Sequence, residues 1–112
     1  METKDLKFVK FKKWDCVLKI EEYKNKRPRI ELIDPVDGQS VAIATVNVPE
    51  RKCPKNCIFI KNYSENDGMY QALLDAKIII PTLYGFQNGY VYILVGELTV
   101  DLSFTQNGFL MA

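Results

Sequence analysis

The stretch WDCVLKIEE, residues 14–22, limits the fold more than any other part of the chain. Trp14, Cys16, Leu18 and Ile20 alternate with Asp15, Val17, Lys19 and Glu21. A period of two places one apolar face against a core and the other toward solvent, as in a half-buried strand of an antiparallel sheet. Lys24-Asn25-Lys26-Arg27 follows as a polar turn, and Pro28 cannot donate to a ladder. Arg29–Ile33 then restarts the strand, so the two runs predict a hairpin. Asp34-Pro35-Val36-Asp37-Gly38 predicts a second turn, and Ser40–Val48 a third strand, completing a meander. Leu6, Phe8 and Val9 begin an earlier strand in LKFVKF.

Beyond the prolines of 49–56, Cys57-Ile58-Phe59-Ile60 reads as a short buried strand. Ser64 or Asn66 suits an N-cap, Ser64-x-x-Asp67 approximates a capping box, and Glu65 and Asp67 suit the positive end of a helix. Met69, Leu73 and Ala76 share one helical face, so the spacing predicts an amphipathic helix over about 65–77. Pro81 stops it, and 82–88 reads as a loop containing Gly85. Residues 89–95, GYVYILV, carry the strongest strand signal, with Leu98–Phe104 as a continuation past Gly96. Gln106-Asn107-Gly108 is a turn before a short tail, Phe109–Ala112. The expected fold is α+β: one domain over 1–112, a single antiparallel sheet of about five to six strands, and one main helix packed on it.

The 112 residues suffice for one core without metal or disulfide support. No apolar run approaches a membrane span, and METKDLKF has charges where a signal peptide carries its apolar segment; a cytoplasmic protein is expected. The three cysteines, Cys16, Cys53 and Cys57, read as reduced thiols. Cys53 and Cys57 have three residues between them, one more than the redox Cys-x-x-Cys motif.

The composition narrows the chemistry further. There is no histidine, which removes Ser-His and Cys-His nucleophile pairs and most catalytic zinc sites. Two cysteines and no imidazole leave a structural zinc site short of ligands. No P-loop, dinucleotide fingerprint or EF-hand spacing is present. Glu21/Glu22 sit on opposite strand faces, and Glu65/Asp67 are explained by helix capping. Cys53 or Cys57 would be a nucleophile only if Lys52 or Lys55 lowered its pKa. The reading is therefore a non-enzymatic protein with no cofactor and no metal.

Three segments carry a resemblance by their order and spacing: Tyr23-x-Asn25-x-Arg27…Ile30-x-Leu32; Ala44-Thr45-Val46-Asn47-Val48-Pro49-Glu50; and Asn56-Cys57-x-Phe59-Ile60-Lys61-Asn62-Tyr63-Ser64-Glu65-Asn66-Asp67-Gly68-Met69, with Ala72-Leu73 and Gly89-Tyr90-Val91 after them. Over roughly residues 14–98 the chain resembles a family of short proteins of unassigned activity from bacterial plasmids, conjugative elements and phages. That resemblance implies an intracellular accessory role on a mobile element and supplies no catalytic residues. Lys77-Ile78-Ile79-Ile80-Pro81 stands where the family has a Gly-rich helix exit, and the tail after Leu98 is longer.

Three functions follow as expectations. The first is protein–protein binding, with a host defence nuclease as an attractive target; its candidate surface is Tyr63, Glu65, Asn66, Asp67, Tyr84 and Phe86, aromatics and acids near polar loops. Tyr90 and Tyr92 are expected to fill the core. The second is nucleic-acid binding. Residues 1–29 hold ten basic and five acidic residues, a net of +5, against −4 for the rest. Lys10, Lys12, Lys13, Lys24, Lys26, Arg27 and Arg29 would contact phosphates, and Trp14 or Tyr23 would stack on a base. Interleaving with apolar residues favours a solvated strand face instead, with lysines protecting an edge. The third is a homo-oligomer, a dimer for example, paired through the N-terminal strand or the 98–104 strand.

Overall fold

A computed structural model describes residues 7–111; Leu6 and Ala112, which the readings above include, lie outside the described residues. The alternation at residues 14–22 forms strand β2 (Trp14–Glu22), the centre of the first sheet. It pairs antiparallel with β3 (Pro28–Ile33), from Glu22↔Pro28 to Val17↔Ile33, and β3 pairs with β4 (Ser40–Ile43). The other edge of β2 is divided. β1 (Phe8–Phe11) covers its first half, from Phe8↔Val17 to Phe11↔Trp14, across a two-residue Lys12-Lys13 turn. Further along, Lys19 pairs with Phe109.

The second sheet is antiparallel too, in the order β5 (Cys57–Ile60), β7 (Val91–Leu98), β6 (Ile79–Asn88). The remaining strands, β8 (Thr105–Gln106) and β9 (Phe109–Leu110), return to the first sheet through an Asn107-Gly108 turn. Both turn residues have positive φ, +55° and +86°, the conformation that makes Asn-Gly the preferred two-residue hairpin turn.

Among the described residues, two antiparallel sheets with one α-helix replace the expected single sheet. The cause lies in β5. Ile58 and Ile60 face one core while Phe59 faces another, and a strand buried on both faces needs a layer on each side. The predicted third strand accordingly ends at Ile43, and 44–46 cross between sheets. The Ala44 N–H donates to Ile30 of β3, while Lys61 N–H donates to Ala44 and Val46 N–H to Phe59. Thr45 is buried at this corner, its Oγ1 accepting the Ile30 N–H at 3.1 Å.

The helix is shorter than its periodicity predicts. Ser64–Asn66 is a single 3-10 turn, Asp67 is extended, and Gly68 has φ +95°, so α1 runs only from Met69 to Asp75. Its exit is a Schellman pair: Lys77 N–H donates to Leu74, and Ile78 N–H donates to Leu73, with Lys77 left-handed at φ +62°. Met69, Ala72 and Leu73 enter the first core beside Val9, Leu18, Leu32 and Ile60.

Residues 82–88, predicted as a loop, belong to β6. The pairing steps from Pro81↔Gly96 to Gly85↔Leu94, so two extra residues bulge out of the edge strand. Thr82 Oγ1 donates to the Val95 carbonyl at 2.6 Å, giving that acceptor a partner at the bulge. An edge strand tolerates Pro81, which would break a central one. The predicted continuation over 98–104 is also corrected: β7 ends at Leu98, and Leu102–Phe104 is a 3-10 turn held by the Asp101 side chain accepting from Ser103 N–H.

Candidate protein-binding surface

From Ile78 to Gly96 the chain has no charged residue, and this segment makes up all of the β6–β7 hairpin except Glu97 and Leu98 at the end of β7. Strand alternation gives the hairpin two different faces. Phe86, Ile93 and Val95 turn inward with Phe59 and Val48 to form the second core. The rings of Phe59 and Phe86 meet edge-to-face, with centroids 4.9 Å apart. Two arginines brace them: the Arg51 guanidinium lies 4.2 Å from the Phe86 centroid and that of Arg27 5.3 Å from Phe59. Arg27 also donates to the Val48 carbonyl at 2.9 Å and to the Arg51 carbonyl, which fixes the covering loop.

Ile79 enters the first core at the base of the hairpin, whereas several apolar groups nearer its tip face solvent. Leu83 at the bulge and Tyr90 at the turn are fully exposed, Tyr84 is 66% exposed and Tyr92 53%. Tyr92 lies across Gly85, where an added Cβ would meet its ring at 2.5 Å. The missing side chain is what lets the ring lie flat on the strand.

The six residues predicted to bind a partner separate. Tyr84, Glu65 and Asp67 are exposed and Tyr63 is half-buried. Phe86 and Asn66 are buried, which removes both from the surface. Phe86 faces inward because Gly85 and Gln87 take the other side of β6. Asn66 is a structural latch: its Nδ2 donates to the Ile43 carbonyl at 2.7 Å and to Lys61 at 3.1 Å. The carboxylate of Glu65 pairs with Lys61 Nζ at 2.7 Å, and its carbonyl accepts from Lys12 Nζ at 2.8 Å. The hydrogen bond from Lys61 holds the Glu65 carboxyl below the usual carboxylate range and raises the Lys61 ammonium in turn.

Tyr90 and Tyr92, read from the sequence as core, are exposed, and Leu83 went unremarked. One signal could have found them. A hairpin whose inner face is already filled by alternate residues leaves Tyr90 and Tyr92 on the outer one, and no charge interrupts the run.

The seven basic candidates do not converge. Lys12 and Lys13 form the β1–β2 turn, with Lys10 beside it, whereas Lys24, Lys26 and Arg27 lie at the opposite end of β2. A nine-residue strand sets these ends about 30 Å apart. Arg29 pairs with Glu21 at 3.0 Å and Glu31 at 3.3 Å, and Lys26 lies 3.9 Å from Glu22. Tyr23 bonds Thr45 Oγ1 at 3.0 Å and Asn25 donates to Asn47 at 3.2 Å. The first two motif segments thus fasten to each other: Tyr23 to Thr45, Asn25 to Asn47 and Arg27 to Val48.

Among the described residues, no group of three or more Cys, Asp or Glu side chains is arranged to hold a metal ion, and no helix is long and apolar enough to cross a membrane. Compared with protein-family models, curated proteins and solved structures, the chain matches none.

Proposed function

We propose that this chain is a non-enzymatic accessory protein of a mobile element or phage that works inside the bacterial cell by occupying another protein through the β6–β7 hairpin. The observation that carries the reading is the exposure of Leu83, Tyr84, Tyr90 and Tyr92 on one hairpin that has no charge from Ile79 to Gly96. Tyrosines are favoured interface anchors, because they bring large contact area at low rotamer cost. The hairpin is braced from behind by the Phe59–Phe86 pair, so little order has to be imposed on binding. The resemblance to mobile-element proteins supports a host defence nuclease as the target class.

Photo-crosslinking in bacterial cells tests the reading. A photoreactive residue replacing Tyr90 should trap a protein of defined mass, and the same residue replacing Lys24 should not. Equal products from both positions, or products consisting only of a second copy of this chain, would count against it. The nucleic-acid alternative predicts binding to DNA that weakens steeply with salt, and basic residues dispersed over both ends of β2, with Arg29 and Lys26 paired to carboxylates, support it less well.

A further inference from the structure

Cys53 and Cys57 are brought together by the loop that leads into β5. The Cys57 N–H donates to the Pro54 carbonyl at 3.1 Å, closing a tight turn. The Cys53 thiol donates to the carbonyl oxygen of Cys57 itself at 3.2 Å. Adding the carbonyl geometry to that distance puts the Cys53 sulfur within about 6 Å of the Cys57 α-carbon. A disulfide spans α-carbons about 4.4–6.8 Å apart, so rotation of the two side chains together with adjustment of the loop between them would close the bond. Both thiols are partly exposed and border one small cavity with Tyr23, Arg27 and Phe59, whereas Cys16 is fully buried.

We propose that Cys53 and Cys57 are a modification site: a dithiol that closes to an internal disulfide by exchange with a small-molecule disulfide such as oxidised glutathione. Cys53, beside the Arg27 guanidinium, loses its proton to solvent and attacks one sulfur of the small disulfide. The first small thiolate leaves and takes up a proton. Cys57, deprotonated in turn, attacks the Cys53 sulfur of the mixed disulfide and expels the second small thiol. Two protein thiols lose two electrons, and the small disulfide gains them as two thiols. The bond replaces the Cys53–Cys57 hydrogen bond and ties down the loop whose Arg51 covers Phe86 at the back of the hairpin. Burial raises both thiols, so the exchange is slow at neutral pH and quickens about tenfold per pH unit as thiolate forms.

The full chain is equilibrated in glutathione buffers of rising oxidised fraction at pH 8, quenched by alkylation and mapped by peptide mass. A monomer lacking two hydrogens, with the loss on the peptide that joins Cys53 to Cys57, is the expected product; Cys57→Ala should stop at a single glutathione adduct on Cys53. Adducts on both cysteines, intermolecular links, or free thiols throughout in the wild-type chain would overturn the proposal, and the wild-type map decides the matter even if the variant does not fold.

Discussion

The carboxamide oxygen of Asn62 accepts the backbone N–H of Tyr70 at 2.7 Å. Gly68 occupies the N-cap of α1 and has no side chain to offer, so the helix takes its acceptor from eight residues upstream. This bond ties the end of β5 to the helix and satisfies one of the N–H groups that a helix start leaves open. Asn62→Ala should therefore lower stability by about 1 kcal/mol, as removal of an N-cap does. Ser64→Ala should change it by less than about 0.5 kcal/mol, because the Ser64 side chain caps nothing. Urea unfolding of the two variants, with unchanged m-values, checks the difference; equal losses would mean that Asn62 is not the cap.

Asn66 gives a sharper test because its role depends on donating. Asn66→Asp keeps the shape but points a carboxylate at the Ile43 and Lys61 carbonyls. An uncompensated buried charge of this kind costs about 3 kcal/mol or more at pH 7. The new carboxyl should have a folded pKa above its unfolded value, so the folded state favours the protonated form. The penalty is then greatest at neutral pH and shrinks as the pH falls toward 4, where the acid can donate to one carbonyl. Thermal unfolding at both pH values, referenced to wild type, should show this narrowing, and a penalty independent of pH would contradict the latch.

Lys77 is left-handed, φ +62°, at the position after the helix where glycine is preferred. A side chain there carries a steric cost that glycine does not, and the two Schellman hydrogen bonds come from backbone groups that remain. Lys77→Gly is expected to stabilise the protein by about 0.5–1 kcal/mol, against the usual penalty for a glycine near a helix. The readout is the urea midpoint, and any fall in it would mean that Lys77 does more than end the helix.

How much of this was legible in the sequence depended on whether a signal was local. The strand at 14–22, the turn before Pro28 and the Asn107-Gly108 turn are local, and each formed where its pattern placed it, although Val17, read on the solvent face of that strand, is buried. The division into two sheets was not local. It follows from Phe59 and Ile60 facing different cores, which four apolar residues in a row cannot disclose. Pro81 and Gly85 read as loop residues because turn propensity ignores a bulged edge strand, where both are tolerated. The acidic stretch 64–67 mixed roles: Glu65 faces solvent while Asn66 holds two carbonyls, and only the folded chain separates them.

Alkaline pH offers a test on the first core. Cys16 is fully buried, and burial, with smaller contributions from the Asp34 and Asp15 carboxylates, pushes its thiol up to about 11 from an ordinary value of 9.0. Between those values the unfolded chain has lost a proton that the folded chain retains. The contribution to stability is complete below pH 9 and disappears as pH rises through 11, at up to about 1.4 kcal/mol per pH unit. Cys16→Ala removes that titration and leaves a small cavity, so it should be less stable than wild type at pH 8 by about 1 kcal/mol. By pH 10.5 the gap should close or reverse, because wild type alone suffers the ionisation of Cys16 on unfolding. Every other ionisable group is common to both proteins, so the difference between paired urea curves isolates this thiol. A stability gap that stays constant from pH 8 to 10.5 would mean that Cys16 ionises as readily in the folded chain as in the unfolded one.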